Sequence, residues 1–377
     1  MRMVKGWLVL FLVCLAVSSS FAACLNRRIV LYNRSARAIE VYRLSDLGRS
    51  LRDADRVWQS PPFDGGSEVK PVRYQGGKAL LATTRYGVVI FSYPDRTVLF
   101  HREITGYAAM NIHSALPMDD GNVLIADSAG YVGILYPGQS TDDVDQPSAQ
   151  TQWYPLSYAH GLAYDPIYQA VYVGGYVTLH RYRYGGSGSG AVLSLMSAYD
   201  LSAYYRRCAV FGICQEDADW EDGVHDVYPV EGDNPHLFFL TTGERVFLFD
   251  ASQQRDNDRP SGGLIKIALT EYAPFYRLDS QYSRQERAAS LRDRVVLKKG
   301  GVKAISGAIS GDAACVLARP APFFTPDLQY DYYEPRLLYA ESLADTADVD
   351  LTDQHHLQFD RGLAIAFYKA RLLPDDF

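Results

Sequence analysis

The chain lacks the marks of the common enzyme classes. It contains only five cysteines in 377 residues, and no two form a CxxC pair, which argues against a thiolate zinc site. No GxSxG, HExxH, P-loop or dinucleotide-binding motif occurs, which argues against the usual hydrolases, zincins and nucleotide-binding enzymes. Lysine and arginine form no cluster, and the formal net charge is −7. Nucleic acid and anionic membrane surfaces are therefore poor candidate partners.

Long apolar runs are also missing, apart from one at the N-terminus. Arg2 and Lys5 precede "WLVLFLVCLAV", and "SSSFAA" follows, which together predict a signal peptide over residues 1–23. The run is short for a membrane span, so we expect no transmembrane span in the mature chain. Its loss takes the formal charge from −7 to −9, because Arg2 and Lys5 are removed.

The export signal ends in "FAAC", which resembles the lipobox of bacterial lipoproteins and would make Cys24 the lipidated residue. Simple cleavage after Ala22 or Ala23 is the alternative. Either way the sequence predicts a secreted or cell-envelope protein, with lipid anchoring left open. In such an oxidising compartment Cys208 and Cys214, which bracket the short loop "CAVFGIC", can form a disulfide.

Helical periodicity is nearly absent, and short strands dominate. Segments such as "KALLATT", "NVLIADS" and "QAVYVGG" are rich in aliphatic and aromatic residues and are separated by Gly, Asp, Asn or Ser, which is typical of strands and turns. One helical candidate lies around residues 282–296. The sequence therefore predicts an all-β protein.

A strand plan recurs along the chain. Five units follow it, and they begin near residues 68, 111, 158, 223 and 301. Each of the first four has the pattern of a first strand, a tight turn, a second strand, a turn and a third strand. The fifth unit follows only the first half of this pattern. The same place in these units carries a lysine or histidine: Lys70, His113, His160, His225 and Lys303. The separations are 43, 47, 65 and 78 residues. The shorter two match the length of a four-stranded propeller blade, and the longer two indicate insertions near residues 185–221 and 276–300.

Five units plus the N-terminal strands predict a six-bladed β-propeller occupying residues 24–377 as a single domain. The C-terminal "GLAIAFYKARLL" is expected to pair with the N-terminal strands, which closes the ring and removes free sheet edges. Seven blades remain an alternative, because the region 330–360 shows no clear strand pattern.

Several of these motifs in combination resemble a family of secreted bacterial β-propellers without an assigned activity. They are "SEVKPV", "HSALPMDDGNVLIADS", "AHGLAYD", "GVHDV", "GVKAI" and "FYKAR". The resemblance covers most of the mature chain and implies the propeller fold and an extracytoplasmic location. It implies no catalytic residue.

The recurring residues predict a candidate site. The first strand of each blade lines the central channel, so His113, His160 and His225 should converge at one channel mouth, flanked by Lys70 and Lys303. Three imidazoles can bind a divalent metal, or one can act as a catalytic base. The lysines would bind an anionic substrate. Oligogalacturonate lyases and some ulvan lyases are similar in architecture and residue type, which is analogy only.

A structural interpretation competes with this one, because polar residues at these positions often only link neighbouring blades. His101, His180 and His236 lie outside the recurring place, and His355 and His356 are given no role. Two functions therefore stay open: a lyase or hydrolase acting on an anionic polysaccharide, or a non-catalytic propeller that binds a glycan or a protein. A purely structural envelope protein is a third possibility. A monomer is expected.

Overall fold

The computed structural model of the chain describes the following residues. They are 27–44, 52–84, 86–104, 111–137, 152–201, 223–232, 235–242, 246–253, 266–268, 275–278, 302–308, 315–320, 336–339, 353–356, 369–374 and 376–377. The predicted signal peptide, Cys24, Cys208, Cys214 and the helical candidate at 282–296 lie outside these residues.

Nearly all regular structure in the described residues is strand. The first half of the chain contains β1 (Arg28–Asn33), β2 (Ala38–Arg43), β3 (Arg56–Gln59), β4 (Gly65–Tyr74), β5 (Gly77–Thr84), β6 (Gly87–Ser92), β7 (Val98–Glu103), β8 (Ile112–Pro117), β9 (Val123–Asp127), β10 (Tyr131–Leu135), β11 (Gln152–Pro155), β12 (Leu162–Asp165), β13 (Ala170–Gly174), β14 (Thr178–Gly185) and β15 (Val192–Asp200).

The second half contains β16 (Val224–Pro229), β17 (Leu237–Thr242), β18 (Val246–Asp250), β19 (Lys266–Ala268), β20 (Phe275–Leu278), β21 (Val302–Ala308), β22 (Cys315–Pro320), β23 (Arg336–Tyr339), β24 (Asp353–His356) and β25 (Ala370–Leu372). Short 3-10 turns occupy Asp53–Asp55, Gly188–Gly190 and Ala251–Gln253. No helix in this part of the chain is long and apolar enough to cross a membrane.

These strands pair into six sheets, five with four strands and one with five. Sheet 1 has the order β25-β1-β2-β3, sheet 2 β4-β5-β6-β7, sheet 3 β8-β9-β10-β11, sheet 4 β12-β13-β14-β15-β19, sheet 5 β16-β17-β18-β20 and sheet 6 β21-β22-β23-β24. Within the described residues no strand belongs to a seventh sheet. Consecutive strands pair antiparallel, as the recurring strand plan predicted, while β19 joins β15 in parallel.

Apolar cores lie between successive sheets. Leu81 and Ile90 of sheet 2 share one buried cluster with Ile112 and Ile125 of sheet 3, and similar clusters join sheets 1 and 2, 3 and 4, and 4 and 5. Because a middle sheet buries both faces, its strands read as continuous apolar runs rather than alternating ones. Sheets stacked face to face around an axis make the chain an all-β propeller.

The inner strands face that axis. Strand β4 contacts β8 and β25, β8 contacts β12, β12 contacts β16, β16 contacts β21, and β21 contacts β25. Strand β25 also pairs with β1, since Ile29, Val30 and Leu31 of β1 lie opposite Leu372, Arg371 and Ala370 of β25.

The predicted insertion near 185–221 is in part a regular piece of sheet 4. Strands β14 and β15 form a long hairpin in which Gly185 lies opposite Val192 and Thr178 opposite Asp200. Residues 202–222 lie outside the described part. Of the insertion predicted at 276–300, residues 276–278 belong to β20 and pair with β18, and the remainder is outside the described part.

Candidate functional site

Three of the recurring residues share one backbone feature. His113, His225 and Lys303 each sit at a register shift, where the inner strand has one residue more than its partner strand. A β-bulge of this kind turns the extra residue out of the regular alternation and can aim its side chain at a site. Lys70 differs, because it lies opposite Leu81 in regular pairing.

His160 reaches the same region from just before β12. Its backbone N–H donates to the Gly174 carbonyl at 3.0 Å, which extends the pairing of β12 with β13. The next residue, Gly161, packs so closely on the inner strand of sheet 5 that a Cβ there would lie 2.7 Å from the Asp226 carbonyl carbon. Glycine is needed at 161 because two backbones meet there.

The three histidine rings come together in the structure. The rings of His113 and His160 stack with centroids 3.9 Å apart and planes 27° apart. His225 meets His160 edge-on, with centroids 5.6 Å apart and planes at 73°. We call His113, His160 and His225 the histidine layer. Only 7%, 3% and 1% of these residues, respectively, is exposed.

Hydrogen bonds fix the orientation of two rings. The Nδ1 of His160 lies 3.0 Å from the backbone carbonyl of Tyr158, so Nδ1 carries the proton and Nε2 is the acceptor nitrogen. The side-chain amide of Asn111 lies 2.7 Å from Nε2 of His113. Because an amide N–H donates only to an unprotonated ring nitrogen, Nε2 of His113 is the acceptor in its contact with Asn111.

Tyr158 covers this layer in a strained backbone conformation. Its φ is +59°, a left-handed value that is uncommon for a bulky residue and costs of order 1–3 kcal/mol. The ring stacks on His160 with centroids 3.8 Å apart and meets Tyr176 edge-on at 5.9 Å. A Cβ on Gly223 would overlap the Tyr158 ring, so glycine leaves the space that the tyrosine fills.

Three residues beside the histidine layer are more exposed than the histidines themselves. Asn111 is exposed, and Tyr158 and Tyr176 are half-buried. Burial increases from exposed Asn111, just before β8, to His113 and then to the fully buried Ser114. Asn111, Tyr158 and Tyr176 are called the rim below.

The arrangement does not suit a metal held by the three histidines. Among the described residues, no group of three His, Cys, Asp or Glu side chains is placed to hold a metal ion. Two rings stacked face to face direct their nitrogens along nearly parallel planes, whereas tetrahedral ligation needs lone pairs that converge about 2.0–2.1 Å from the metal. Metal binding by the trio stays a prediction that this geometry does not support.

Lys70 lies inside the channel, fully engaged by protein groups. Its ammonium group donates to the Ser114 hydroxyl at 2.7 Å and to the Leu162 carbonyl at 3.0 Å, and it lies 3.4 Å from the carboxylate of Glu68. Burial lowers the pKa of Lys70 to about 8, against the opposing attraction of Glu68. A substrate-binding role for Lys70 stays a prediction, and these contacts argue against it. The backbone of Lys303 lies in β21, and its side chain is outside the described part.

Lys70 belongs to a buried set of charges that we call the ion layer: Glu68, Lys70, Asp226, Lys369 and Arg371. The guanidinium of Arg371 donates to Glu68 and to Asp226, at 2.9 Å each, and lies 4.1 Å from the centre of the Tyr228 ring. Arg371 is completely buried, as are both carboxylates within 1%.

All six sheets contribute to this layer. Lys369, next to β25 of sheet 1, donates to Glu68 of sheet 2 at 3.1 Å and to the carbonyl of His113 in sheet 3 at 3.3 Å. Lys70 reaches sheet 4 at Leu162. Arg371 reaches Asp226 of sheet 5 and the Ile305 carbonyl of sheet 6 at 2.9 Å. The ion layer therefore links every sheet at the axis.

The electrostatic effect of this pairing is large. Burial alone would raise the pKa of Glu68, but Arg371, Lys369 and Lys70 outweigh it and hold that pKa well below the usual range. The pKa of Arg371 is correspondingly raised, because Asp226 and Glu68 outweigh the effect of burial. Both groups stay charged at any physiological pH.

The sequence reasoning did not identify the ion layer or the rim tyrosines. A signal existed for part of it: Lys369 and Arg371 stand two residues apart in an apolar C-terminal segment, as Glu68 and Lys70 do in β4. Alternation places such pairs on one face of a strand. No local signal identifies Tyr158, because a left-handed φ at a tyrosine is imposed by packing.

The remaining histidines lie elsewhere. His101 is in β7 beside Glu103, His180 is in β14 with a pKa that burial lowers to about 4, and His236 lies 2.6 Å from Asp165. His355 and His356 are in β24. The sequence positions of these histidines lie outside the recurring place in the strand plan.

Comparisons with known proteins add little about function. No protein-family profile and no curated protein matches the chain. Solved structures that resemble it include a protein of unknown function from Bacteroides caccae, which is 10% identical, with 93% of this chain and 100% of that one covered and a TM-score of 0.46. Regucalcin, a calcium-binding protein from Agrobacterium tumefaciens, is 12% identical, with 80% and 81% covered and a TM-score of 0.43.

A luciferin-regenerating enzyme is similar at the same level, with 10% identity, 81% and 84% of the two chains covered and a TM-score of 0.41. Identities and TM-scores this low carry no argument about activity. Membership of the secreted family stays a prediction, and the function has to be argued from the channel.

Proposed function

We propose that this chain is an exported, six-bladed β-propeller, closed by the pairing of β1 with β25, that binds an acidic glycan at the rim of its channel. The observation that carries the proposal is the strained Tyr158, whose ring is held over the histidine layer at the channel mouth. Strain of this kind clusters at ligand sites, where the surrounding structure maintains it.

The rim has the chemistry of sugar recognition. The apolar face of a tyrosine packs on a sugar ring while its hydroxyl serves as a polar handle, and an exposed amide such as that of Asn111 can donate to and accept from sugar hydroxyls. Beside the rim, the stacked rings of the histidine layer provide a rigid aromatic support. A few polar groups placed on a rigid aromatic frame are typical of small-ligand sites.

The preference for an acidic glycan rests on the ion layer. It contains three cations and two carboxylates, so it has an excess of one positive charge when Lys70 is protonated. A charge beneath a low-dielectric channel mouth is screened less than an exposed one. An anionic sugar is therefore favoured over a neutral one.

Titration calorimetry with polygalacturonate and with neutral dextran tests this proposal. We expect the wild type to bind polygalacturonate more tightly, Tyr158→Gly to lose at least tenfold in affinity, and Tyr158→Phe to lose less because it keeps the ring. Tyr131→Ala, which removes a 42% exposed tyrosine from another part of sheet 3, is the control and should bind as the wild type does. Equal binding by wild type and Tyr158→Gly would contradict the proposal.

A second candidate is a lyase, and one observation favours it. His160 has its acceptor nitrogen, Nε2, fixed by the Tyr158 carbonyl, and the Tyr158 ring stacks on the same imidazole. In a β-elimination, Nε2 would remove the proton next to a uronate carboxylate. The bond to the leaving sugar oxygen then breaks as a carbon–carbon double bond forms, and the Tyr158 hydroxyl donates a proton to that oxygen.

Incubation of the protein with polygalacturonate distinguishes the two functions, because elimination leaves an unsaturated product that absorbs ultraviolet light. A lyase would produce this absorbance, and His160→Gln would abolish it while glycan binding remained. Binding with no absorbance in wild type supports the non-catalytic function.

Export itself is part of the proposal. Mass spectrometry of the protein from its native host should find residues 1–23 removed and either a lipidated Cys24 or a free N-terminus, together with a Cys208–Cys214 disulfide. An intact N-terminus with both thiols reduced would contradict export.

A further inference from the structure

Lys369 joins the two buried layers of the channel. It lies just before β25, is 2% exposed, and belongs to the ion layer through Glu68 and Asp226, which lie 3.1 and 3.4 Å from its ammonium group. The same ammonium group donates to the backbone carbonyls of His113 at 3.3 Å and His225 at 3.4 Å. One cation therefore holds two of the three members of the histidine layer.

The β-bulges explain why these two carbonyls bond to a side chain. His113 and His225 have no residue opposite them on the partner strand, and the extra residue of a bulge is left out of the regular ladder. Both residues are buried, and a buried carbonyl without a hydrogen bond is costly. An ammonium group has three N–H donors, so Lys369 supplies hydrogen bonds that the ladder does not. The bulges that aim the two imidazoles are thus stabilised by Lys369.

Holding these two backbones also fixes His160. Its ring stacks on His113 with centroids 3.9 Å apart and meets His225 edge-on at 5.6 Å. Tyr158 of the rim stacks on the same ring at 3.8 Å, and the Asn111 amide of the rim lies 2.7 Å from Nε2 of His113. The geometry of the rim therefore depends on the spacing of β8 and β16.

Strand β25 holds Lys369 in place. The next residue, Ala370, pairs with Leu31 of β1, and the N–H of Leu372 donates to the Ser306 hydroxyl of β21 at 2.8 Å. Sheets 1 and 6 thus fix the position of the ammonium group together.

Lys70, the other lysine of the ion layer, makes different contacts. It is 3% exposed and also lies beside Glu68, at 3.4 Å. Its ammonium group donates to the Ser114 hydroxyl at 2.7 Å and to the carbonyls of Ala115 and Leu162 at 3.3 and 3.0 Å, so its acceptors among the described residues include no histidine. The two lysines match in burial and charge and differ in whether they hold the histidine backbones.

We propose that Lys369 is the positioning residue of the histidine layer, through which the pairing of β25 with β1 sets the geometry of the binding rim. Lys369 acts through the backbones of His113 and His225 and needs no contact with the ligand. Its effect on binding rests on the function proposed above, whereas its effect on the arrangement of the imidazoles does not.

Side-chain NMR of the ligand-free full chain, with isotope-labelled histidine, tests the positioning. Stacked rings shift one another's proton signals through their ring currents, so the imidazole signals report the spacing of the layer. In Lys369→Met we expect the three signals of the histidine layer to move. In Lys70→Met, which removes a similarly buried ammonium group, they should move much less, and exposed His101 should keep its signal in both variants. Unchanged signals of the histidine layer in Lys369→Met would overturn the proposal.

Titration calorimetry with polygalacturonate at low and high salt connects this geometry to binding. Both variants lose one buried cation, so they share an electrostatic loss of affinity that decreases as salt rises. A loss through displaced rings does not depend on salt. We expect Lys369→Met to lose at least fivefold more affinity than Lys70→Met at both salt concentrations, and equal losses in the two variants would contradict the positioning role.

A second pair of variants keeps the test decisive if Lys369→Met fails to fold. Lys369→Arg and Lys70→Arg keep the charge but replace the ammonium group by a larger, planar guanidinium. We expect Lys369→Arg to displace the imidazole signals of the layer and to lose severalfold in affinity, with smaller changes in Lys70→Arg. An equal or reversed order would overturn the proposal. If the wild type does not bind polygalacturonate, the proposed function is wrong, and the imidazole signals still decide the role of Lys369.

Discussion

The central channel contains two buried layers of polar residues, and their side chains find partners in different ways. The ion layer consists of charges that all six sheets share, and each carboxylate there is paired with cations from another sheet. The histidine layer consists of rings from sheets 3, 4 and 5 that stack on one another. Removing one partner of a buried ion pair is strongly destabilising, whereas stacked rings tolerate small shifts. The comparison suggests that the first layer holds the ring of sheets together and the second supports a binding rim.

The largest expected effect comes from breaking the ion layer. Arg371→Met leaves Glu68 and Asp226 buried without their guanidinium, which should lower the free energy of unfolding by about 3–5 kcal/mol. Urea denaturation followed by circular dichroism measures this change. Arg73→Met removes the cation of an exposed pair with Asp376 and should cost no more than about 1 kcal/mol. Similar losses in both variants would show that the ion layer is not the main link.

The close packing of the chain just before β12 on β16 can be tested at Gly161. In Gly161→Ala the new Cβ would overlap the backbone at Asp226 and Val227, and overpacking of this kind typically costs about 1–3 kcal/mol. Thermal unfolding should show a lower melting temperature. Gly185→Ala is the matched control, because a Cβ at residue 185 meets nothing within 4 Å. If Gly161→Ala kept the wild-type melting temperature, the backbones of sheets 4 and 5 would be able to move apart at residue 161 without loss of stability.

A smaller effect should distinguish the backbone strain at Tyr158 from the packing of its ring. Tyr158→Gly and Tyr158→Ala both remove the ring, but only glycine adopts the left-handed backbone freely. The glycine variant should therefore be about 1–2 kcal/mol more stable than the alanine variant, as measured by denaturant unfolding. If the alanine variant is as stable as the glycine variant, the tyrosine is not strained.

The smallest effect is a pH dependence of the ion layer. The pKa of Lys70 is about 8 in the folded protein against an ordinary value of 10.5, so the unfolded chain binds more protons between these values. Stability should therefore rise with pH from about 8 to 9.5, by at most about 1.4 kcal/mol per pH unit, before tyrosines titrate near pH 10. Urea titrations at several pH values should show this rise in wild type and in the exposed control Lys78→Met, but not in Lys70→Met. A flat wild-type profile would contradict it.

Much of the fold could be predicted from local pattern. Apolar strands separated by turn residues indicate an all-β protein, and the recurring unit indicates a propeller, because each pattern depends only on neighbouring residues. The outer hairpin of sheet 4 falls in the insertion predicted near 185–221 from the long separation of His160 and His225, and its turn is the Gly- and Ser-rich "GGSGSG". In the structure, Asp120 accepts the Gly188 N–H of this turn at 3.0 Å, which ties it to sheet 3.

For the histidine layer, the sequence predicted which residues meet at the axis but not how their side chains are oriented. A shared place in a repeat brings His113, His160 and His225 to one axis, and that follows from the sequence because the inner strands of a propeller surround the channel. The orientation of the rings does not follow, since stacking depends on bulges and on the support of Tyr158. For the same reason the role of Lys70 could not be inferred from its residue type.

The sequence by itself determines the strands, their repetition and the set of residues that reach the axis, because these depend on side-chain alternation and turn chemistry along the chain. Only the tertiary structure decides which of those residues become counter-ions and which become a support for the rim. Glu68 and Arg371 are 303 residues apart, and nothing local links them. Their pairing exists because sheets from both ends of the chain meet in a space where a charge needs a partner.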